Sequence, residues 1–199
     1  PLIAEALPKV SEDLLRFTYQ IHPQARFNSG KKITPEDILF SIKAKLNPFL
    51  RQAVQFKGIL QDFQSVHIES SGTVVFQLQY PNPEALYLTG TFPILSREVF
   101  DPEGLFGAIP LKKFRHPEQL GADEMKAVRD VARQIDAFGT SLTTSNPEAV
   151  SGPYVLQDWK RGDQIVLAAN KKFWGRKVSE PMAVQFAKTT DEIVFRLAT

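Results

Sequence analysis

A chain of 199 residues has room for one large domain or two modest ones. Its 43% hydrophobic and 23% charged residues are those of a folded globular protein, and 24 basic against 22 acidic side chains leave +2, too little to argue for a nucleic-acid or membrane-surface partner. Cysteine is absent, which excludes disulfide scaffolds, thiol catalysis and thiolate metal sites but does not set a compartment.

The chain starts at Pro1 rather than Met, so a processed product or a piece of a longer protein is expected. No charged n-region followed by an apolar h-region is present. No apolar run approaches the ~18 residues that a membrane span needs. Fifteen Phe and fourteen Pro suggest short elements around a packed core, and no internal repeat or low-complexity tract interrupts it.

In chain order, residues 10 to 13 read as a turn. Arg16 to Ile21 alternates Phe17, Tyr19 and Ile21 with polar residues, as a half-buried strand does. Asn28-Ser29-Gly30 is a turn signal. Thr34-Pro35-Glu36-Asp37 is a helix start with a capping residue, a proline suited to the first position and two acids at the positive dipole end. Ile38, Leu39, Ile42 and Leu46 give that helix an apolar face, and Asn47-Pro48 ends it. A second helix is expected over Phe49 to Gln55. Val66 to Glu69 and Thr73 to Tyr80 form a hairpin about Ser70-Ser71-Gly72, with Val74, Phe76, Leu78 and Tyr80 on one side. A short helix follows from Glu84 to Thr89. Residues 90 to 120 read as ordered loops with one helical turn near Ser96 to Phe100. Ala122 to Phe138 is an amphipathic helix with Met125, Val128, Val131, Ala132, Ile135 and Phe138 on one face and Gly139 closing it. Tyr154 to Trp159 and Gln164 to Ala169 form a second hairpin, and Glu192 to Ala198 is a last strand. The shift in composition at Asn146 to Gly152 marks the expected boundary between two units.

Little in the chain suggests catalysis. His22, His67 and His116 are far apart with no metal-ligand spacing, so no metal and no cofactor are expected. No nucleophile elbow, Walker loop or dinucleotide fingerprint occurs, and a non-enzyme is expected. The pairs Glu36-Asp37 and Asp123-Glu124 fall at helix starts, where dipole compensation accounts for them. Arg161-Gly162-Asp163 reads as the tight turn of a hairpin. Lys112 to His116 reads as a solvated basic run rather than a nucleic-acid patch.

Three spaced signatures remain. They are Phe27-x2-Gly30-x3-Thr34-x2-Asp37-x2-Phe40-Ser41, then Ser151-Gly152-Pro153-Tyr154, then Asn170-x2-Phe173-Trp174-Gly175. With the opening Leu2-Ile3-Ala4-Glu5-Ala6-Leu7-Pro8, they resemble, in order, the peptide/nickel-type extracellular solute-binding proteins of ABC importers, the oligopeptide- and dipeptide-binding family 5. The chain departs from that pattern mildly. Val150 and Ser151 stand for Gly and Thr, Ala169 for a frequent Arg, and Phe173 for Tyr.

The resemblance implies a mixed α/β fold of the periplasmic-binding-protein-like II class, and only part of it. Residues 1–149 would be the extra domain on one lobe, and 150–199 a strand-rich piece of the first ligand-binding lobe. It implies a substrate-binding component that captures a peptide or similar small solute and presents it to an ABC permease. The location would be periplasmic or extracytoplasmic, tethered or not as a lipoprotein. Phe27, Gly30, Thr34, Asp37, Phe40, Ser41, Gly152, Pro153, Tyr154, Asn170 and Trp174 carry the motifs. Tyr154 is the candidate solute contact, although Gly152 and Pro153 beside it are what a chain entering a hairpin requires. A fragment lacking the second lobe would leave apolar strands uncovered near 154–169 and 193–197 and would self-associate. The alternative function is the ligand-sensing module of a transcription regulator with the same fold. Phe40 lies about 200° around the helix from Ile38, so its burial requires cover on both sides of that helix.

Overall fold

The computed structural model describes residues 3–51, 63–70, 72–140, 149–160, 162–176, 181–186 and 193–197. The chain divides into two units, Pro1–Ala25 with Ile33–Thr140, and Arg26–Lys32 with Ser141–Thr199. Composition alone puts the boundary at 146–152; in the structure the loop 26–32 also belongs with the C-terminal residues. The structure is mixed α/β, as expected.

In the first unit, β1 (Lys9–Val10), β2 (Arg16–Gln20), β3 (Phe63–Ser70) and β4 (Thr73–Leu78) form an antiparallel sheet in the order β1-β2-β4-β3. The register sets Phe17 opposite Phe76, and Val66 opposite Phe76 from the other side. Phe17, Tyr19, Phe63, Val66, Val74, Phe76 and Leu78 are buried. The Tyr19 and Phe63 rings meet Phe76 at 5.6 and 5.7 Å, within the range where aromatic pairs add to area burial. Val75 is buried as well as Val74 and Phe76, so both faces of β4 are covered and simple alternation misjudges it. The strand stops at Leu78, before Pro81, and Tyr80 is exposed rather than part of it. At the hairpin, Gly72 has φ +93°, and a Cβ there would stand 2.7 Å from Gln20 Nε2, so only glycine fits without displacing that side chain.

Helix α1 (Pro35–Lys45) packs against β3, β4 and the short helices α3 (Arg97–Phe100) and α4 (Leu105–Ala108). Phe40 is 1% exposed, stacked 6.5 Å from Phe100 and edge-on 5.3 Å from Phe106. Ile38 and Ile42, on the other side of the helix by its pitch, are buried too. The helix is therefore covered on both sides. Of the helix expected over Phe49 to Gln55, residues 52–55 lie outside the described residues, and 49–51 are not helical.

The helix expected at 84–89 is α2 (Ala85–Gly90). Residues 90–120 hold more helix than expected: α3, α4, α5 (Leu111–Arg115) and a 3₁₀ turn at Pro117–Gln119. Each is three to five residues long, too short to show a 3.6-residue period. Helix α6 (Ala122–Thr140) runs through Gly139 instead of stopping at it; a helical Gly costs only about 1 kcal/mol, which packing can override. Val128, Val131 and Ala132 are the buried positions of its apolar face. Among the described residues no helix is long and apolar enough to cross a membrane.

In the second unit, β5 (Tyr154–Lys160), β6 (Gln164–Ala169), β7 (Met182–Phe186) and β8 (Ile193–Leu197) form an antiparallel sheet in chain order. The β5–β6 turn has Gly162 at φ +75° and the Asp163 N–H on Lys160 O at 3.0 Å, as the turn reading of that segment requires. Strand β7 is an addition to the expected elements. Its alternation over five residues is too brief to stand out.

Candidate functional site

The signatures are shared between the two units. The first is divided between the units: Phe27 and Gly30 belong to the second, Thr34, Asp37, Phe40 and Ser41 to the first.

In the second unit, the loop 26–32 is a tight reversal. Arg26 bridges Lys32, the Phe27 N–H reaches Lys31 O at 2.9 Å, and the Gly30 N–H reaches Phe27 O at 2.9 Å. Gly30 has φ +94°, a conformation that L side chains disfavour. The loop places Asn28, 7% exposed, at the centre of a polar cluster. Asn28 Oδ1 accepts from the Gly152 N–H at 3.2 Å and from Asn170 Nδ2 at 2.9 Å. The Asn28 N–H donates to Val150 O at 2.9 Å. Asn170 Nδ2 also donates to Gly152 O at 2.9 Å, and Asn170 Oδ1 accepts from the Lys172 N–H at 3.0 Å. Ser151 Oγ donates to Arg26 O at 2.8 Å. Both amide orientations follow from these partners, since each oxygen faces N–H donors and the Asn170 nitrogen faces two oxygens.

The same cluster starts the second sheet. The Asn170 N–H donates to Pro153 O at 2.7 Å, and Tyr154 begins β5 opposite Ala169. Beyond it, Phe173 is buried and its ring lies over Gly175, where a Cβ would come within 2.7 Å of the ring. Trp174 meets Phe173 at 5.5 Å between centroids. Gly152, Pro153, Asn170, Phe173 and Gly175 thus close the open end of a hairpin. Tyr154 is half-buried, and its hydroxyl has no hydrogen bond among the described residues.

In the first unit, Asp37 binds the start of its own helix and a distant loop. Its Oδ2 accepts from Thr34 N–H at 2.9 Å and from Thr34 Oγ1 at 3.0 Å, and its Oδ1 accepts from the Arg97 N–H at 2.9 Å. Ser41 Oγ donates to Asp37 O at 2.6 Å and accepts from the Leu95 N–H at 2.8 Å. These two buried side chains fix residues 95–97 against α1, and Phe40 packs on the helix that follows. The sequence does not single out Asn28 or Ser151 for these roles. Asn28 reads as an ordinary turn residue, and nothing local announces a partner 142 positions away.

The run Lys112–His116, expected to be solvated, is only partly so: Phe114 is buried, and Arg115 is half-buried with its Nε and Nη2 shielded and unpartnered among the described residues, because the short helix turns that side of the run into the fold. The other polar features match their plain readings. Glu124 accepts from the Gly121 N–H at 2.8 Å at the start of α6 and pairs with Lys113 at 2.7 Å. Those bonds, Lys113 first, hold its carboxyl below the usual range. His22 Nδ1 accepts from the Gln24 N–H, His116 stands 3.3 Å from Glu118, and His67 lies on β3. Among the described residues no three His, Asp or Glu converge in a way that could hold a metal ion.

A family model described as bacterial extracellular solute-binding proteins, family 5 Middle, matches residues 1–198. Protein XP55 of Streptomyces lividans is 25% identical over 177 residues, which is 89% of this chain but 26% of that protein. The chain therefore spans about a quarter of that relative's length. Among solved structures, the oligopeptide-binding protein of Thermus thermophilus complexed with pentapeptide has a TM-score of 0.62 at 16% identity, over 96% of this chain and 34% of that one. NikZ of Campylobacter jejuni in complex with Ni(L-His) has a TM-score of 0.59 at 21% identity, over 94% and 30%. At these identities the solved structures speak to the fold. The family match covers nearly every residue and takes in all three signatures, and on it the chain belongs to the bacterial extracellular solute-binding proteins, family 5.

Proposed function

We propose that the chain is part of the substrate-binding component of an ABC importer for peptides or similar small solutes. The observation that carries this reading is the family match over residues 1–198, supported by the likeness to a pentapeptide-binding protein. The likeness to a Ni(L-His)-binding protein keeps small chelated solutes within the class. The role is capture and delivery to a membrane permease, outside the cytoplasm, in the periplasm or as a tethered lipoprotein. The residues agree with binding rather than catalysis, because the buried polar groups of the signatures are engaged with structural partners. No observation favours the regulator alternative.

Residues 1–149 act in this reading as the extra domain and 150–199 as part of a ligand-binding lobe, with Tyr154 as a solute contact. A formed pocket buries roughly 70–90% of its ligand, so the 199-residue chain alone binds peptides weakly. All six residues of β6 are only half-buried although the strand is paired on both edges. An under-covered apolar sheet of this kind favours self-association.

Calorimetric titration with mixed di- to pentapeptides tests the reading on both the 199-residue chain and the longer gene product that contains it. Binding by the longer product, weakened by Tyr154→Ala, is expected. A longer product that binds no peptide or small chelate sinks the proposal. Sedimentation of the 199-residue chain tests self-association, and a strictly monomeric chain that binds peptide at micromolar concentration contradicts the account of its missing cover.

A further inference from the structure

The first unit contains a cavity of about 230 Å³ lined by Glu36, Leu39, Phe40 and Lys43 of α1, by Arg97 of α3, and by Gly104, Gly107 and Ala108 around α4. Two of its lining groups are cations with donors to spare. Lys43 is 5% exposed, and its ammonium, which has three N–H donors, finds one acceptor among the described residues, the Gly107 carbonyl oxygen. Asp101 is near enough to favour the charged lysine. Its two carboxylate oxygens also accept from the N–H groups of Phe106 at 3.1 Å and Gly107 at 2.7 Å. Burial pushes the Lys43 pKa down in spite of Asp101, and no hydrogen bond joins the two side chains among the described residues. The Arg97 backbone is held by Asp37, but its guanidinium has no hydrogen bond or ion pair among the described residues.

The two glycines bring the backbone close to Arg97 and Asp101. A Cβ at Gly104 would lie 3.6 Å from Arg97 Nη1, and one at Gly107 would lie 3.1 Å from Asp101 Oδ2 and 3.7 Å from Arg97 Cδ. Gly104 has φ +74°, so a larger residue there is disfavoured on backbone grounds as well. Leu39, Phe40 and Ala108 supply an apolar wall beside the two cations. Glu36 is exposed and is the acidic residue of the lining.

We propose that this cavity binds the carboxylate of a small amphipathic acid, with Lys43 and Arg97 on the carboxylate and Leu39, Phe40 and Ala108 on the carbon chain. Carboxylates accept strong charge-assisted hydrogen bonds from both kinds of cation. The volume is below the roughly 300–1,000 Å³ of pockets for drug-sized ligands, which limits the guest to a few carbons. The apolar wall favours an alkyl carboxylate over sulfate. This site lies wholly within the first unit and does not depend on the transport reading.

The probe is sodium butyrate, with sodium chloride at matched ionic strength and sodium sulfate as comparators, read by thermal unfolding and calorimetry of the 199-residue chain. A saturable rise in melting temperature with butyrate, absent with chloride and weaker with sulfate, is expected. Arg97→Gln removes a half-exposed charge and should weaken the apparent affinity about tenfold, roughly one charge-assisted contact. Glu36→Gln removes the opposing charge and should strengthen it several-fold. No saturable response to butyrate at ~50 mM, where even very weak binding would register, overturns the proposal. So does an equal response in wild type and Arg97→Gln, or sulfate matching butyrate.

Discussion

Asn170 Nδ2 donates to Asn28 Oδ1 at 2.9 Å, joining a loop near the start of the chain to the end of a hairpin 142 positions later. The same oxygen takes the Gly152 N–H, so one buried carboxamide links all three segments that the signatures mark in the second unit.

Asn170→Ala removes the donor to Asn28 Oδ1, the donor to Gly152 O and the acceptor of the Lys172 N–H. At about 1 kcal/mol per neutral bond, plus the cost of orphaned partners, the loss should be about 2–4 kcal/mol. Asn28→Ala should cost a similar amount, and the double variant less than the sum by about 1 kcal/mol, because both act on one network. Urea denaturation followed through the Trp residues measures all three. Additive losses would show that the two amides do not work together.

Ser41→Ala leaves the Leu95 N–H without its acceptor and should cost about 1–3 kcal/mol. Asp37→Asn keeps the shape but replaces one accepting oxygen by a donor facing Thr34 or Arg97. It should therefore be worse tolerated than an exposed Asp→Asn change on the same helix dipole. Thermal unfolding of both variants checks this, and near-wild-type melting of Asp37→Asn would contradict the assigned bonds.

Phe40→Ala should cost about 3–5 kcal/mol, the usual range for emptying a fully buried aromatic site. Phe40→Leu should cost less, because part of the volume remains, but it still forfeits the ring contacts with Phe100 and Phe106. Equal stability of Phe40→Leu and wild type in denaturant titration would count against the aromatic cluster.

The Glu124 carboxyl is held below its ordinary value of 4.5 by Lys113 and then by the Gly121 N–H. A pKa lower in the folded state means that folding favours the ionised form. Its stabilising contribution is complete above about pH 4.5 and is lost as pH falls through the lower folded value. Glu124→Gln should flatten that part of the acid limb and leave the neutral-pH profile parallel to wild type. An unchanged acid limb would refute the assignment.

Much of this architecture is legible locally. Thr34-Pro35-Glu36-Asp37 carries its own helix start, and Phe17 and Tyr19 carry the period of a half-buried strand. The limits are physical. Short helices such as Leu105–Ala108 end before a period can appear. Gly139 is an ordinary C-cap residue that nevertheless lies inside a helix, where a glycine costs only about 1 kcal/mol. The Asn28–Asn170 bond depends on chain reversal at Gly30 and on hairpin pairing far away, and neither sets a local pattern at Asn28. The signatures are visible as spacing, but which residues they bring together appears only in three dimensions.

Loop 26–32 is held in the second unit by the Asn28–Gly152–Asn170 network. Amide hydrogen exchange on wild type and Asn170→Ala tests it most directly, because protection reports which segments open together. Asn170→Ala should speed exchange at Asn28, Gly30, Gly152 and Phe173 as a group, while the amides of α1, β2 and β4 keep their wild-type rates. Faster exchange confined to 170–173, with Asn28 and Gly30 unchanged, would contradict it.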